Sequence, residues 1–434
     1  MIGGDDGPIP ILTVSSKEVE KRLICRLRLL DGAGENLEMG LSTDAGIWYT
    51  GFGIFWPRKT AEKGKIMGKN AEYIQRVMGY VEENVPVIQS ILADRKDLCN
   101  EFLKNVQGKE LDKILLFGIG SSYNAGLMVK PLLESALQMD VLVASPAMYE
   151  QLCRSRSFDN ALLIAASQSG KSAATIDVVK ELKAKGAFVV GLTGNLESPL
   201  AKESSAAVDI HCGEEKSSVM TKGVLATAMM MAMIGLEYGA ASGRVSQKDY
   251  DKIMADFNFI ASHMRENLSL TKEWCAANVK DWSQYRSFSL ISNIDSTGTT
   301  LEIALKVMES IFLPSDSFEV EEYLHGPHLL LSRKEAALLQ LDSVSMDHEK
   351  LSRIHSFLRE KNAPSYQITQ EGVPGFTKDS LKICSVQNGL LDFAEFLPVL
   401  QVWSISLWEY FDQHGLDEFE MPGDLSGALA TKVK

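Results

Sequence analysis

The stretch "KILLFGIGSSYNAG", residues 113 to 126, sets a short apolar run, Lys113 to Phe117, against a glycine turn and a polar, helix-compatible continuation. So short a run, ended by Gly118, reads as a strand entering a turn. The same order returns downstream. Asp140 to Ala144, Ala161 to Ala166, Ala187 to Leu192 and Ala207 to Ile210 read as strands, with helical stretches such as Ile176 to Lys185 between them. Strands alternating with helices predict a parallel sheet covered on both faces, with ligands bound beyond the carboxyl ends of the strands. Residues 111–245 are thus read as one doubly wound α/β domain.

Upstream, 67–110 carries a helical pattern from Asn70 to Leu103. Residues 1–66 form an irregular N-terminal extension with no sustained period, read either as an added arm or as sequence ahead of a natural start at Met67. Downstream, a polar helical connection over 246–284 leads to "SFSLISNIDSTGTT", residues 287 to 300, again an apolar strand followed by a hydroxyl-rich turn. A helix from Leu301 to Leu313, strands at Ala336 to Leu341, Ser365 to Thr369 and Lys382 to Val386, and a helix from Pro398 to Phe411 complete a second α/β domain over 285–411. Residues 412–434 are a polar tail.

Composition narrows the function classes. The 434 residues carry a formal charge of -13, which argues against nucleic acid or acidic lipid as a bulk electrostatic partner but leaves room for a local anion pocket. The six cysteines are dispersed with no C-x-x-C pair, so neither a disulfide framework nor a zinc site is indicated. Val224 to Leu236 is apolar but too short for a membrane span and reads as a buried helix. With no basic-then-apolar leader legible, the expected location is cytoplasmic.

Two nucleotide motifs fail at fixed points. In "AASQSGKSAAT", residues 165 to 175, a P-loop would need glycine where Ala165 stands, and in the glycine turn a dinucleotide fingerprint would need glycine where Tyr123 stands. What remains are hydroxyls, Ser121, Ser122, Ser167, Ser169 and Ser172, in the turns after two strands, where free N–H groups can face an anion. Alone, either turn reads as a structural helix cap. Two in one domain favour a phosphate held without metal or nucleotide. In the second domain Glu302, Lys306 and Glu309, spaced by four and three, form one polar stripe on an otherwise apolar helix; unaided, that pattern also fits a surface salt-bridge stripe.

The motifs "GIGSSYNAG", "SQSGKS" and "EEYLHGP", in that order, resemble the sugar isomerase (SIS) family, over roughly 85 to 420. That family includes the isomerase half of glucosamine-6-phosphate synthase, amino-sugar-phosphate deaminases and deglycases of fructosamine 6-phosphates. The resemblance implies two flavodoxin-like SIS domains in tandem. It implies that Ser122, Ser167, Gln168, Ser169 and Ser172 grip a sugar 6-phosphate, with Ser121 near the sugar. Glu309 matches the carboxylate that moves a proton between C1 and C2, with Lys306 beside it. His325 matches a ring-opening histidine that reaches the neighbouring subunit's site, so a homodimer with a shared active site is expected. Glu322 matches a further acidic position. Thr221 belongs to the sugar-side loop, although Met220 stands where the synthase has a serine. Lys432, shifted by about a residue, is the counterpart of a Schiff-base lysine in the synthase tail; such a tail could equally be a disordered end. His328 reads as structural, and His211, His263, His348, His355 and His414 have no assigned role. No cofactor or metal is implied.

The expected activity is isomerase-coupled cleavage of the C–N bond of an amino-sugar or fructosamine 6-phosphate. Two alternatives stand beside it. One is synthesis of glucosamine 6-phosphate with ammonia or a separate glutaminase, since the chain is too short to hold that domain as well. The other is a non-catalytic sugar-phosphate sensor.

Overall fold

Two parallel sheets of five strands each account for the alternating pattern. The structure, a computed structural model, describes residues 70–153, 158, 160–332, 336–343, 347–374, 377, 379–416 and 432, with the backbone of four short strands between 25 and 55. The chain divides into two units, Met1–Gly64 and Lys65–Lys434. In the first, β1 (Cys25–Leu30) pairs antiparallel with β2 (Asn36–Leu41), and β3 (Trp48–Thr50) with β4 (Gly53–Phe55). These strands were not read from the sequence; two of them have only three residues each.

The second unit begins with α1 (Ala71–Glu82) and α2 (Asn84–Val106), where the sequence pattern had suggested one continuous stretch. Its first sheet contains β5 (Lys113–Phe117), β6 (Asp140–Ala144), β7 (Ala161–Ala166), β8 (Val189–Thr193) and β9 (Ala206–Asp209), in the order β6-β5-β7-β8-β9. α3 (Ser121–Leu137), the short turn α4 (Pro146–Met148), α5 (Ala173–Ala184), α6 (Pro199–Glu203) and α7 (Lys222–Ser242) connect and cover these strands. The order reverses between β5 and β7, the position at which open α/β sheets bind ligands. Phe117 sits opposite both Ala144 and Ala165, so the strands end along one edge.

The long α8 (Gln247–Trp282) leads to the second sheet, which repeats this order as β11-β10-β12-β13-β14. Its strands are β10 (Ser287–Ser292), β11 (Ser315–Glu319), β12 (Ala336–Asp342), β13 (Ser365–Gln370) and β14 (Leu381–Ile383). α9 (Thr297–Ile311), α10 (Val320–Leu324), α11 (His348–Glu360) and α12 (Asp392–Gln413) complete it. The sequence did not reveal β11, a polar edge strand in which Ser315 alone is buried. It also started α12 at Pro398, whereas the helix begins at Asp392 and carries Pro398 inside; the ring removes one hydrogen bond and the buried face on either side keeps the helix intact.

α7 is buried on all sides from Lys222 to Gly239. α7 and the stretch Gly389–Gln413 are long and apolar enough to cross a membrane, but each has 89% of its apolar window buried inside the protein. One apolar core runs through both sheets by way of these helices, with Trp403 edge-on to Phe288 and Trp282. A further close approach fixes the site. A Cβ at Gly298 on α9 would lie 2.6 Å from Met128 N and 2.9 Å from Leu127 C on α3, so the backbones of the two helices touch there. The first glycine turn is thereby brought against the polar stripe of the second domain.

Candidate active site

Two serine-rich turns lie side by side at the ends of β5 and β7. A Cβ at Gly118 would stand 2.6 Å from Ser122 Cβ and 3.1 Å from Ala166 O, so only glycine lets the first turn lie on the end of β7. Gly120, at φ +57°, then turns the chain into α3, which starts at Ser121. In the second turn Ser167 N donates to Leu192 O at 3.0 Å and Gly170 N to Ser167 O at 2.9 Å. Among the described residues the hydroxyls of Ser122 and Ser167 have no hydrogen-bond partner, Ser169 is exposed, and Ser172 precedes α5 while accepting from Thr175 Oγ1 at 3.0 Å. Two helix N-termini with serine hydroxyls beside them are a geometry able to receive an anion at the switch point.

The polar stripe turns out to be no surface feature. Lys306 Nζ lies 3.1 Å from Glu302 Oε1 and 2.8 Å from Glu309 Oε2, and the side chains of Lys306 and Glu302 are 2% and 0% exposed. Lys306 Nζ also donates to Ser121 Oγ at 3.1 Å, while Glu302 accepts from Ser121 Oγ at 2.8 Å and Asn124 Nδ2 at 2.9 Å. Burial raises the Glu302 carboxyl above its ordinary range, an effect only partly offset by Lys306, Asn124 and Ser121. For Lys306 burial acts downward, and the carboxylates of Glu302 and Glu309 outweigh it, so the ammonium is held above its usual value. Glu309, 35% exposed, is the member of the stripe that solvent or a ligand can reach. The site therefore has a fixed cation beside a reachable carboxylate, facing the first glycine turn.

A third group was not legible as a site in the sequence. Glu215 accepts from Thr221 N at 2.7 Å, Thr221 Oγ1 at 2.8 Å, Gly223 N at 2.9 Å and Gln168 Nε2 at 3.2 Å. It closes the N-terminus of α7 and takes up the Thr221 hydroxyl, so Thr221 is buried beneath the loop. The same loop is clamped by α1. Tyr73 OH lies 3.0 Å from Ser217 Oγ and 2.9 Å from Ser218 Oγ, and the buried Lys222 pairs with Glu83. Asn124 could have been flagged from its motif position; nothing in "CGEEKSS" singles out Glu215 over Glu214.

Other sequence-derived candidates are not bonded to the Lys306–Glu309 pair among the described residues. His325 and Glu322 are exposed, and among the described residues neither is hydrogen-bonded or ion-paired to Lys306 or Glu309. His325 Nδ1 sits 2.9 Å from Glu321 O. A backbone bridge pairs Lys432 with Ser172 at the second serine turn. His328 is exposed. Of the unassigned histidines, His355 is buried between Ser365 and Thr377, and burial pushes its imidazole down to about 4.

The strand ends of the second sheet form a contrast. There Asp392 accepts from Ser296 Oγ at 2.8 Å and Gln370 Nε2 at 2.9 Å, and Glu395 accepts from Gln370 Nε2 at 2.9 Å and Ser385 Oγ at 2.7 Å. This crevice is filled by its own acids. Burial drives the Asp392 carboxyl up to about 7. No set of three or more His, Cys, Asp or Glu residues among those described is placed to hold a metal ion. Burial lifts the thiols of Cys99 and Cys275 to about 12 and that of Cys212 to about 11, out of nucleophilic range at neutral pH.

Residues 109–236 match the SIS domain family, so the chain carries a SIS domain over the first sheet. The chain is 25% identical to a glutamine--fructose-6-phosphate aminotransferase (isomerizing) of Thermotoga maritima over 87% of its own length and 61% of that protein. It thus spans about three fifths of that relative. The fold is similar to the C-terminal domain of glucosamine-fructose-6-phosphate aminotransferase from Francisella tularensis, with a TM-score of 0.68 and 19% identity over 79% of this chain and 96% of that one. It is also similar to a glucosamine-6-phosphate deaminase from Thermotoga maritima, with a TM-score of 0.56 and 20% identity over 75% and 93% of the two chains.

Proposed function

With a SIS domain over 109–236 as the premise, we propose that this chain is an enzyme that cleaves the C–N bond of an amino-sugar or fructosamine 6-phosphate. The observation that carries the reading is the buried Lys306, held between Glu302 and Glu309 and donating to Ser121 at the edge of the phosphate turns. Ser122, Ser167, Ser169 and Ser172 hold the phosphate. Glu309 takes a proton from one of C1 and C2 and returns it to the other, while the Lys306 ammonium stabilises the oxyanion of the enediol or enolamine formed between them. Water then adds to the imine, and ammonia or an amine leaves with the nitrogen.

His325 opens the sugar ring in the site of a second copy. Its exposure, its lack of a hydrogen bond to Lys306 or Glu309 within one chain, and the exposed Leu324, Leu329 and Leu330 around it support a homodimer that covers this segment. Location in the cytoplasm, with its reduced thiols, goes with this reading.

The bridge between Lys432 and Ser172 favours a second reading, amination of fructose 6-phosphate with ammonia or a separate glutaminase, because it brings a tail lysine to the phosphate turns. One assay separates them. Purified protein is incubated with glucosamine 6-phosphate and with fructoselysine and glucoselysine 6-phosphates, and the products are identified by mass spectrometry. Ammonia from the first or lysine from the others supports cleavage. Glucosamine 6-phosphate made from fructose 6-phosphate and ammonium, with no cleavage, supports the second reading. Intact substrates in every arm overturn both.

A further inference from the structure

We infer that the side chain of Gln168 recognises the sugar and not the phosphate, presenting its carbonyl Oε1 to a substrate hydroxyl or amine, and that Glu215 is the positioning residue that sets this orientation. The inference rests on the sugar-phosphate reading above and assigns a role within that site.

An amide side chain has one end that donates and one that accepts, and the two are distinguished by what surrounds them. Glu215 settles the choice at Gln168. Its Oε1 is taken by Thr221 N and Thr221 Oγ1, and its Oε2 accepts from Gly223 N, so the carboxylate is fixed from three sides before Gln168 approaches. A carboxylate accepts, so the Gln168 group facing Oε2 at 3.2 Å is the NH2. That NH2 is enclosed as well. A Cβ at Gly223 would lie 2.2 Å from Nε2, so Nε2 is seated against the first turn of α7 and has no room there for a ligand oxygen.

The main chain of Gln168 is equally fixed, its carbonyl accepting from Gly194 N at 2.9 Å and Thr193 Oγ1 at 3.2 Å. Turning the amide over would set Oε1 against the Glu215 carboxylate, two acceptors facing each other. Oε1 is the end left over: the side chain's contacts with Glu215 and with the Cys212 thiol, whose pKa it acts to lower, are both made by the donating NH2. A phosphate dianion offers acceptors alone and cannot bond an amide carbonyl. A sugar hydroxyl or a substrate amine offers the matching donor. Gln168 thus separates hexose phosphates that carry a donor at this point from those that do not.

The test compares inorganic phosphate with glucosamine 6-phosphate as ligands in isothermal titration calorimetry. In Gln168→Met, which keeps the volume and removes the polar atoms, glucosamine 6-phosphate should bind about 5- to 30-fold more weakly, with inorganic phosphate unchanged. Gln168→Ala serves as the second variant if methionine disturbs folding. Equal weakening of both ligands would place Gln168 on the phosphate and overturn the assignment while leaving the sugar-phosphate reading intact. A wild-type protein that binds neither ligand overturns both. Glu215→Gln should weaken glucosamine 6-phosphate in the wild type but add nothing in the Gln168→Met background. A further loss in that background would reduce Glu215 to a structural cap.

Discussion

Lys306 Nζ, on the second domain, lies 3.1 Å from Ser121 Oγ at the first residue of α3 on the first. A buried ammonium is costly unless it is paired, and here one carboxylate, Glu302, is buried with it and a second, Glu309, is left partly open. Removing each member therefore has a different outcome. Glu309→Gln should lower turnover by about 10²- to 10⁴-fold with little change in melting temperature. Lys306→Met should abolish turnover and also cost roughly 3–5 kcal/mol of stability by leaving the buried carboxyl of Glu302 without its cation. Steady-state assays with parallel thermal melts check both; equal destabilisation by the two changes would contradict this division.

The placement of His325 predicts complementation between subunits. Glu309→Gln and His325→Ala should each be severely impaired alone, because each site then lacks one group. Mixed and reassembled in equal amounts, random pairing leaves one complete site in half of the dimers, so about a quarter of wild-type activity should return. Activity that stays at the level of the separate variants would show that His325 serves the site of its own chain or none.

Asp392 predicts a stability that depends on pH. Its carboxyl, at about 7 in the fold, is raised chiefly by burial, and the charge of Glu395 adds to this. The folded state therefore keeps a proton that the unfolded chain has lost between about pH 4 and 7. The stabilisation is complete below that window and is lost as pH rises through 7, so melting temperature should fall from pH 5 to pH 8. Asp392→Asn keeps the shape of the network, since the Ser296 hydroxyl can turn to accept, and should flatten the slope. Some slope should remain, because burial also raises the carboxyl of Glu395. An unchanged profile would mean that Asp392 is ionised in the fold.

How much of this was legible in the sequence depended on whether a residue acts through its neighbours in the chain or across the fold. Lys113 to Phe117 and Ala161 to Ala166 could be read because a central parallel strand is almost wholly apolar and ends at a turn. β11 could not, because an edge strand with one partner needs few apolar residues. The stripe of Glu302, Lys306 and Glu309 was visible as a spacing, yet spacing cannot distinguish a solvated face from one buried against α3. That difference depends on Gly298, whose role is visible only once Met128 lies against it. Glu215 had no local signal at all, since its partners are at 168, 221 and 223.

Gly298 therefore carries a prediction that joins packing to chemistry. In Gly298→Ala the new methyl would meet the backbone of Met128 and Leu127, atoms that no rotamer change can move aside. α9 must shift away from α3, at a cost of about 1–3 kcal/mol. The same shift lengthens the Lys306–Ser121 contact, so turnover should fall out of proportion to the loss of stability, about 10²-fold for a displacement of an ångström. Binding of inorganic phosphate should be spared, because Ser122, Ser167, Ser169 and Ser172 all belong to the first domain. Loss of phosphate binding in step with turnover would mean that the contact between the two helices also shapes the anion turns.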